Sequence, residues 1–222
     1  MSAEARLREE MCKLAASLFA RGLTHGSTGN ISARTEDGGL LVSPTGSSFG
    51  ALDPSRLSRF NANGRHIDGD LPTKEMPLHT AFYDTRSTAG AVVHLHSTHS
   101  VALSLMPEHH DGTTEPDDFL PPFTPYAVMQ LGRVRLLPFF LPGDPAMGEA
   151  VRGLAGKRSA VMLAHHGPVV AGRDVRSAVA AIEELEATAR LALLTRGMGA
   201  VGLSRDQLRA VVTKFDVQWD AT

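Results

Sequence analysis

The sequence predicts an α/β fold, a mainly antiparallel sheet flanked by helices. Three observations lead there. Short apolar runs of strand length, punctuated by glycine and proline, recur along the chain, and two of them are joined by a hairpin turn. Apolar positions at helical spacing mark helices at both ends. Strands and helices do not alternate in the regular rhythm of a parallel sheet.

In chain order, residues 3–20 carry Leu7, Met11, Leu14, Ala15 and Leu18 three and four apart, which predicts a first helix stopped at Gly22. Residues 30–34 and 40–43 read as strands with Glu36-Asp37-Gly38-Gly39 as their hairpin turn. A further strand is expected at 57–61, turning at Asn63-Gly64. Residues 77–85 read as a helix leading into a buried strand at 91–96, followed by a short helix over 98–106.

Residues 107–125 are rich in Pro, Asp, Glu and Thr and predict a long loop suited to function or to a neighbouring subunit. Strands resume at 134–140 and 160–163, with a helix after Pro142-Gly143-Asp144 running to about Leu154. Val175, Val179, Ile182, Leu185 and Leu191 mark the longest helix, over 174–194. A last helix starts at Ser204, where Gln207 completes a capping box.

A chain of 222 residues can bury a full core, and one domain spanning 1–222 is expected, with no linker, repeat or low-complexity tract. A net charge of -2 without a run of Lys or Arg argues against nucleic-acid and membrane-surface partners. No apolar stretch approaches the ~20 residues of a membrane span. Cys12 is the sole cysteine, and the charged, amphipathic first 22 residues do not read as a secretory leader, so a cytoplasmic location is expected.

Chemistry concentrates at the histidines. His94 and His96 stand two apart in a predicted strand, so both imidazoles leave the same face and can reach one ion. A catalytic site needs a third protein ligand with room for substrate. The run Leu163-Ala164-His165-His166-Gly167-Pro168 offers it where a buried strand ends and meets a Gly-Pro turn, and His166, before the glycine, is the preferred residue. His-x-His alone would more readily suit hydrogen-bonded core or surface histidines. His99, His109 and His110 lack a comparable setting and read as surface or loop residues.

Glu75, in Thr73-Lys74-Glu75, precedes the helix that feeds the His-x-His strand. A carboxylate there can ligate the metal or act as general acid or base, and it would also simply favour the helix dipole. Gly26-Ser27-Thr28-Gly29-Asn30 and Ser43-Pro44-Thr45-Gly46-Ser47 combine glycine with hydroxyls beside strands, where N–H groups and hydroxyls can converge on an anion such as phosphate. Either segment alone would pass for a plain turn.

The order of these segments, Gly29-Asn30-Ile31-Ser32, Ser43-Pro44-Thr45-Gly46, Glu75 with His79, His94-Leu95-His96 and His165-His166-Gly167, resembles the class II aldolase/adducin family over residues 14–196. Thr24 to Asn30, Pro72-Thr73-Lys74-Glu75 and Leu141-Pro142-Gly143-Asp144 are most similar to its branch of 3-oxo-tetronate 4-phosphate decarboxylases.

The resemblance implies a three-layer α/β/α domain. It implies a divalent metal, Zn2+ first and Mn2+ or Co2+ as alternatives, on Glu75, His94, His96 and His166, with Glu75 also the acid/base. Substrate phosphate is implied to rest on Thr28, Gly29, Asn30, Thr45 and Gly46, with Thr73 and Lys74 completing the cradle. In the family's aldolases two small hydroxyl residues precede the glutamate; here the second is Lys74, a cation able to pair with a phosphate or a substrate carboxylate. Tyr126 falls where related aldolases place a proton donor from a neighbouring subunit, although an aromatic packing role suits it equally. Residues 123–129 are apolar enough for an interface, and a homotetramer is implied.

The implied activity is carbon-carbon lyase chemistry on a phosphorylated sugar acid: decarboxylation of a 3-oxo-tetronate 4-phosphate to dihydroxyacetone phosphate and CO2 through a metal-bound enediolate. Aldol cleavage and 4-epimerisation share that intermediate and stand as alternatives. An adducin-like binding module is the non-enzymatic alternative, which the presence of all four ligands argues against.

Overall fold

The computed structural model describes residues 1–219 and contains seven helices and eight strands among them. Helix α1 (Ala3–Ala20) is capped by the Ser2 side chain, which accepts from Ala5 N–H. The strands β1 (Asn30–Arg34), β2 (Leu40–Val42), β3 (Ser58–Phe60) and β4 (His66–Asp68) form an antiparallel meander. Helix α2 (Met76–Thr85) then leads into β5 (Ala91–His94) and α3 (Thr98–Ser104). Residues 107–125 lack a long element as expected, although two short 3-10 turns form there and Asp117 and Asp118 tie the segment to Arg158, Arg135 and Arg133.

Helix α4 (Pro125–Leu131), which sequence reading did not anticipate, precedes β6 (Arg135–Leu137). After α5 (Pro145–Gly153) come β7 (Ala160–Leu163) and β8 (Gly167–Gly172), and α6 (Val175–Leu194) and α7 (Arg205–Phe215) close the chain. Both last helices begin with a capping box, from Asp174 with Ser177 and from Ser204 with Gln207.

The eight strands make one sheet in the order β4-β3-β2-β1-β5-β8-β7-β6. Every pairing is antiparallel except β6 with β7. Strand alternation sends Ile31, Ala33, Ala91, Val93, Met162 and Val170 to one face, where they pack with Met11 and Leu18 of α1 and Ile182 and Leu185 of α6. Val92, Val161, Leu163 and Val169 face the other way, against Leu78 and Phe82 of α2 and Met147 and Val151 of α5. The result is the three-layer α/β/α arrangement with a mainly antiparallel sheet.

Two expectations shift in detail. β5 ends at His94, so His96 lies just beyond the strand; Leu95 N–H still bonds Pro168 O at 3.2 Å, which carries the extended path one residue further. Gly167-Pro168, read as a turn, instead opens β8, and the reversal is made by Ala164, His165 and His166, with His165 in the left-handed region at φ +61°. Pro168 has no N–H to donate, and its carbonyl accepts from Leu95 N–H just beyond β5.

Candidate metal centre and active site

β1, β5 and β8 lie side by side, and register places Asn30 opposite His94 and His94 opposite Val169. His94 therefore stands at the sheet's centre and is fully buried. Its Nδ1 donates to Pro168 O at 2.9 Å, which fixes the tautomer and leaves Nε2 as the lone-pair nitrogen. His96 follows on the chain, and the β7–β8 reversal brings in His166.

Two glycines allow this convergence. A Cβ on Gly167 would lie 2.0 Å from Leu95 O, so only glycine lets the start of β8 press against the His94–His96 segment. A Cβ on Gly29, at φ +82°, would lie 2.8 Å from His94 O.

The three imidazoles form a tight cluster, with ring centroids 4.9 Å apart for His94–His96 and His94–His166 and 4.6 Å for His96–His166. One nitrogen from each falls within 4.8 Å of the others. Glu75, 7% exposed, faces them: Oε2 is 3.5 Å from His94 Nε2 and Oε1 is 3.4 Å from His166 Nε2. His94 Nε2 and both His166 nitrogens are buried with no hydrogen-bond partner.

Buried polar atoms left unpaired are costly, so three converging lone pairs with a carboxylate beside them fit a cation. Donors around a tetrahedral ion with bonds of about 2.0–2.1 Å stand about 3.3 Å apart, close to the Glu75–His separations. Three nitrogens and one oxygen suit a borderline divalent ion.

Burial drives the histidine pKa values down, to about 3 for His94 and His96, with neighbouring imidazoles adding to the effect, and in the same direction for His166, where Glu75 opposes it. The three imidazoles are thus neutral at neutral pH. His25, which sequence reading left without a role, is near enough to His96 to act on its charge.

Glu75 precedes α2 without capping it through its side chain, and its carboxylate is turned toward Asn30 and the histidines instead. Its N–H bonds Thr73 Oγ1 at 3.2 Å, and Asn30 Nδ2 donates to its Oε2 at 2.7 Å. The other end of the Asn30 carboxamide meets His79 Nε2, and His79 Nδ1 is 2.7 Å from Ser32 Oγ, itself 2.8 Å from the Tyr83 hydroxyl. The Asn30 side chain is therefore committed to Glu75 and His79 rather than to open solvent. Desolvation holds His79 at about 4 and pushes the Tyr83 phenol up.

The glycine-rich segments approach the same region. Thr28 Oγ1 donates to His25 O at 2.6 Å and Thr24 Oγ1 to Thr28 O at 2.8 Å, shaping the turn that ends at Gly29. Pro44 pairs with Pro72 in an isolated bridge, and Thr73 N–H bonds Ser43 O at 3.3 Å, which brings the Thr45–Gly46 turn beside Thr73, Lys74 and Glu75. Thr45 and Gly46 line a cavity of about 240 Å³ together with Ser47, Asp53 and Arg56. Lys74 is exposed, next to the Leu141-Pro142-Gly143-Asp144 turn.

Tyr126 is not gathered into this site; it stands 63% exposed near the start of α4. His99 is not a bare surface residue: with Ser100 it ties the start of α3 to the Glu186 carboxylate. His109 packs on Phe119, and His110 stacks on His165.

The family model for the class II aldolase and adducin N-terminal domain matches residues 9–193. The chain belongs to the class II aldolase and adducin family. Class II aldolases use a divalent metal, and the histidine triad for one is present here.

Among curated relatives, the 3-oxo-tetronate 4-phosphate decarboxylase of Cupriavidus necator is 48% identical over 191 residues, 86% of this chain and 85% of the relative. The L-fuculose phosphate aldolase of Haemophilus influenzae is 30% identical over 218 residues, 95% of this chain and 94% of the relative. The crystal structure of Escherichia coli YgbL superposes with a TM-score of 0.89 at 40% identity and covers 95% of this chain and 99% of that one. No helix among the described residues is long and apolar enough to cross a membrane.

Proposed function

We propose that this class II aldolase family member decarboxylates a 3-oxo-tetronate 4-phosphate to dihydroxyacetone phosphate and CO2. The observation that carries the reading is Glu75 held against a triad of neutral histidines, His94 and His166 buried and His96 half-buried, in a chain 48% identical to a decarboxylase of that name. His94, His96, His166 and Glu75 would hold the divalent ion, and Zn2+ is the proposed occupant. When bound, that ion supplies Lewis-acid stabilisation of negative charge developing on substrate oxygen.

The residues supply the rest. Breaking the C1–C2 bond releases CO2 and leaves its electron pair on C2, conjugated with the C3 ketone as an enediolate. One proton delivered to C2 completes dihydroxyacetone phosphate. Glu75 is the proposed acid/base for that proton, and Tyr126, exposed on its own protomer, is proposed to act in a neighbouring site of a homotetramer. Thr28, Gly29, Thr45, Gly46, Thr73 and the backbone of Asn30 are proposed to take the phosphate, with Lys74 pairing a phosphate or carboxylate oxygen. A cytoplasmic setting fits a small phosphorylated substrate.

Aldol cleavage is the second reading, supported by the relative from Haemophilus influenzae. Incubation with 3-oxo-tetronate 4-phosphate and, separately, with L-fuculose 1-phosphate separates the two. CO2 and dihydroxyacetone phosphate from the first alone are expected. Lactaldehyde from the second without CO2 from the first would overturn the proposal.

A further inference from the structure

Glu75, His79 and Tyr83 are four residues apart at the start and along one face of α2, while Asn30 and Ser32 are two apart on β1 and point at that helix. Four helical residues advance about 6 Å and two strand residues about 6.6 Å, so the two rows mesh. They interleave as Glu75, Asn30, His79, Ser32, Tyr83, each touching the next. His79 and Ser32 are fully buried and Asn30 and Tyr83 nearly so.

Chemistry gives this ladder one direction. An ionised Glu75 accepts only, so the Asn30 group facing it is the NH2 and the group facing His79 is the carbonyl. A carbonyl also accepts only, so His79 carries its proton on Nε2 and presents a bare Nδ1. Ser32 must then donate to Nδ1, and its oxygen is left to accept from Tyr83. A reversed His79 would require Asn30 to turn its carbonyl toward the Glu75 carboxylate.

We propose that His79 is a positioning residue for Glu75: through Asn30 it holds the carboxylate with Oε2 toward His94 and Oε1 toward His166. The proposal rests on Glu75 being the carboxylate that serves the metal and the reaction. His79 itself touches neither substrate nor ion. Its Nε2–H locks the Asn30 carboxamide in the orientation that donates, and Ser32 with Tyr83 locks His79.

The test uses the full chain, freed of metal and titrated with Co2+, alongside ¹⁵N spectra of the imidazoles. In the wild type His79 is expected as the Nε2–H tautomer; the Nδ1–H tautomer overturns the proposal. His79→Phe is expected to weaken Co2+ binding about 10-fold, as loss of groups that orient a ligand does. His79→Gln, whose amide can still donate to Asn30, is expected to recover most of that loss. Equal weakening in both variants, or none in either, overturns it.

With substrate, His79→Phe is expected to lower kcat about 10-fold at little change in KM, and His79→Gln to restore it. Should His79→Phe fail to fold, Ser32→Ala replaces it, and wild-type Co2+ affinity together with an unchanged His79 tautomer would overturn the proposal. If the wild type releases no CO2 while Co2+ affinity still separates the Phe and Gln variants, the substrate reading fails and the positioning role stands.

Discussion

Asn30 Nδ2 donates a 2.7 Å hydrogen bond to Glu75 Oε2, across a boundary where the first residue of β1 meets the residue that opens α2. Asn30→Ala would leave a buried carboxylate oxygen and the His79 Nε2–H without partners. Each such loss costs about 1–3 kcal/mol, so metal-free protein is expected to lose roughly 2–4 kcal/mol in urea unfolding. Asn30→Asp should be worse, since it sets a second carboxylate against the first. Unchanged midpoints in both variants would contradict the contact.

The glycines at the convergence make a sharper steric prediction. Gly167→Ala would put a methyl 2.0 Å from Leu95 O, against main chain that cannot move without disturbing His96. Gly29→Ala adds a left-handed φ to a 2.8 Å approach to His94 O. Both are expected to lose more than about 2 kcal/mol, an overpacking penalty of the usual size or above. Thermal unfolding with metal analysis checks it: stability and metal content should fall together.

Removing a ligand differs from removing a support. His94→Ala, His96→Ala and His166→Ala are each expected to weaken divalent metal binding more than about 100-fold, beyond the 10–100-fold typical of residues that only orient a ligand. Chelation should abolish turnover and added Zn2+, Mn2+ or Co2+ restore it. Stoichiometric metal in a purified His94→Ala, His166→Ala double variant would remove the triad from the site.

His79 predicts a pH dependence in metal-free protein. Burial holds its pKa at about 4 against 6.5 for the free side chain. The unfolded chain therefore binds the extra proton first, and stability is full above pH 6.5 and falls as pH drops from there toward 4. Between pH 7 and pH 5 this one group is expected to cost about 2 kcal/mol. Guanidinium titrations at the two pH values measure it, and His79→Gln should reduce the difference by that amount.

Much of this was legible from residue spacing. Helical spacing places α1 and α6, because each buries one face and is bounded by a cap, whereas α7, which has no buried residue, is marked by its capping box and the β1–β2 hairpin by apolar runs around a turn. Gly167-Pro168 misled because a turn signal and a close-packed strand start both demand glycine, and only the neighbouring Leu95 O tells them apart. Sheet order is equally invisible locally, since β8 inserts between β5 and β7. That His94, His96 and His166 would gather with Glu75 beside them could be expected from their types. The Asn30–His79–Ser32–Tyr83 ladder was present as an i, i+4, i+8 row facing an i, i+2 row, but its members are common core polar residues until the two rows are known to face each other.

Lys74 carries the last prediction. It is exposed between two buried residues, Thr73 and Glu75, and a Cβ at Gly143 would lie 3.5 Å from its own Cβ, so it borders the Leu141-Pro142-Gly143-Asp144 turn at the rim of the site. A cation there can form a charge-assisted hydrogen bond with a substrate oxyanion, worth about 1.5–3 kcal/mol. Lys74→Ser is therefore expected to lower kcat/KM for 3-oxo-tetronate 4-phosphate about 10- to 100-fold while metal content stays at the wild-type level. If the lost partner is the carboxylate, inhibition by inorganic phosphate should be unchanged in the variant, whereas weakened phosphate inhibition would move Lys74 to the phosphate cradle. Decarboxylation at the wild-type rate would take Lys74 out of substrate recognition altogether.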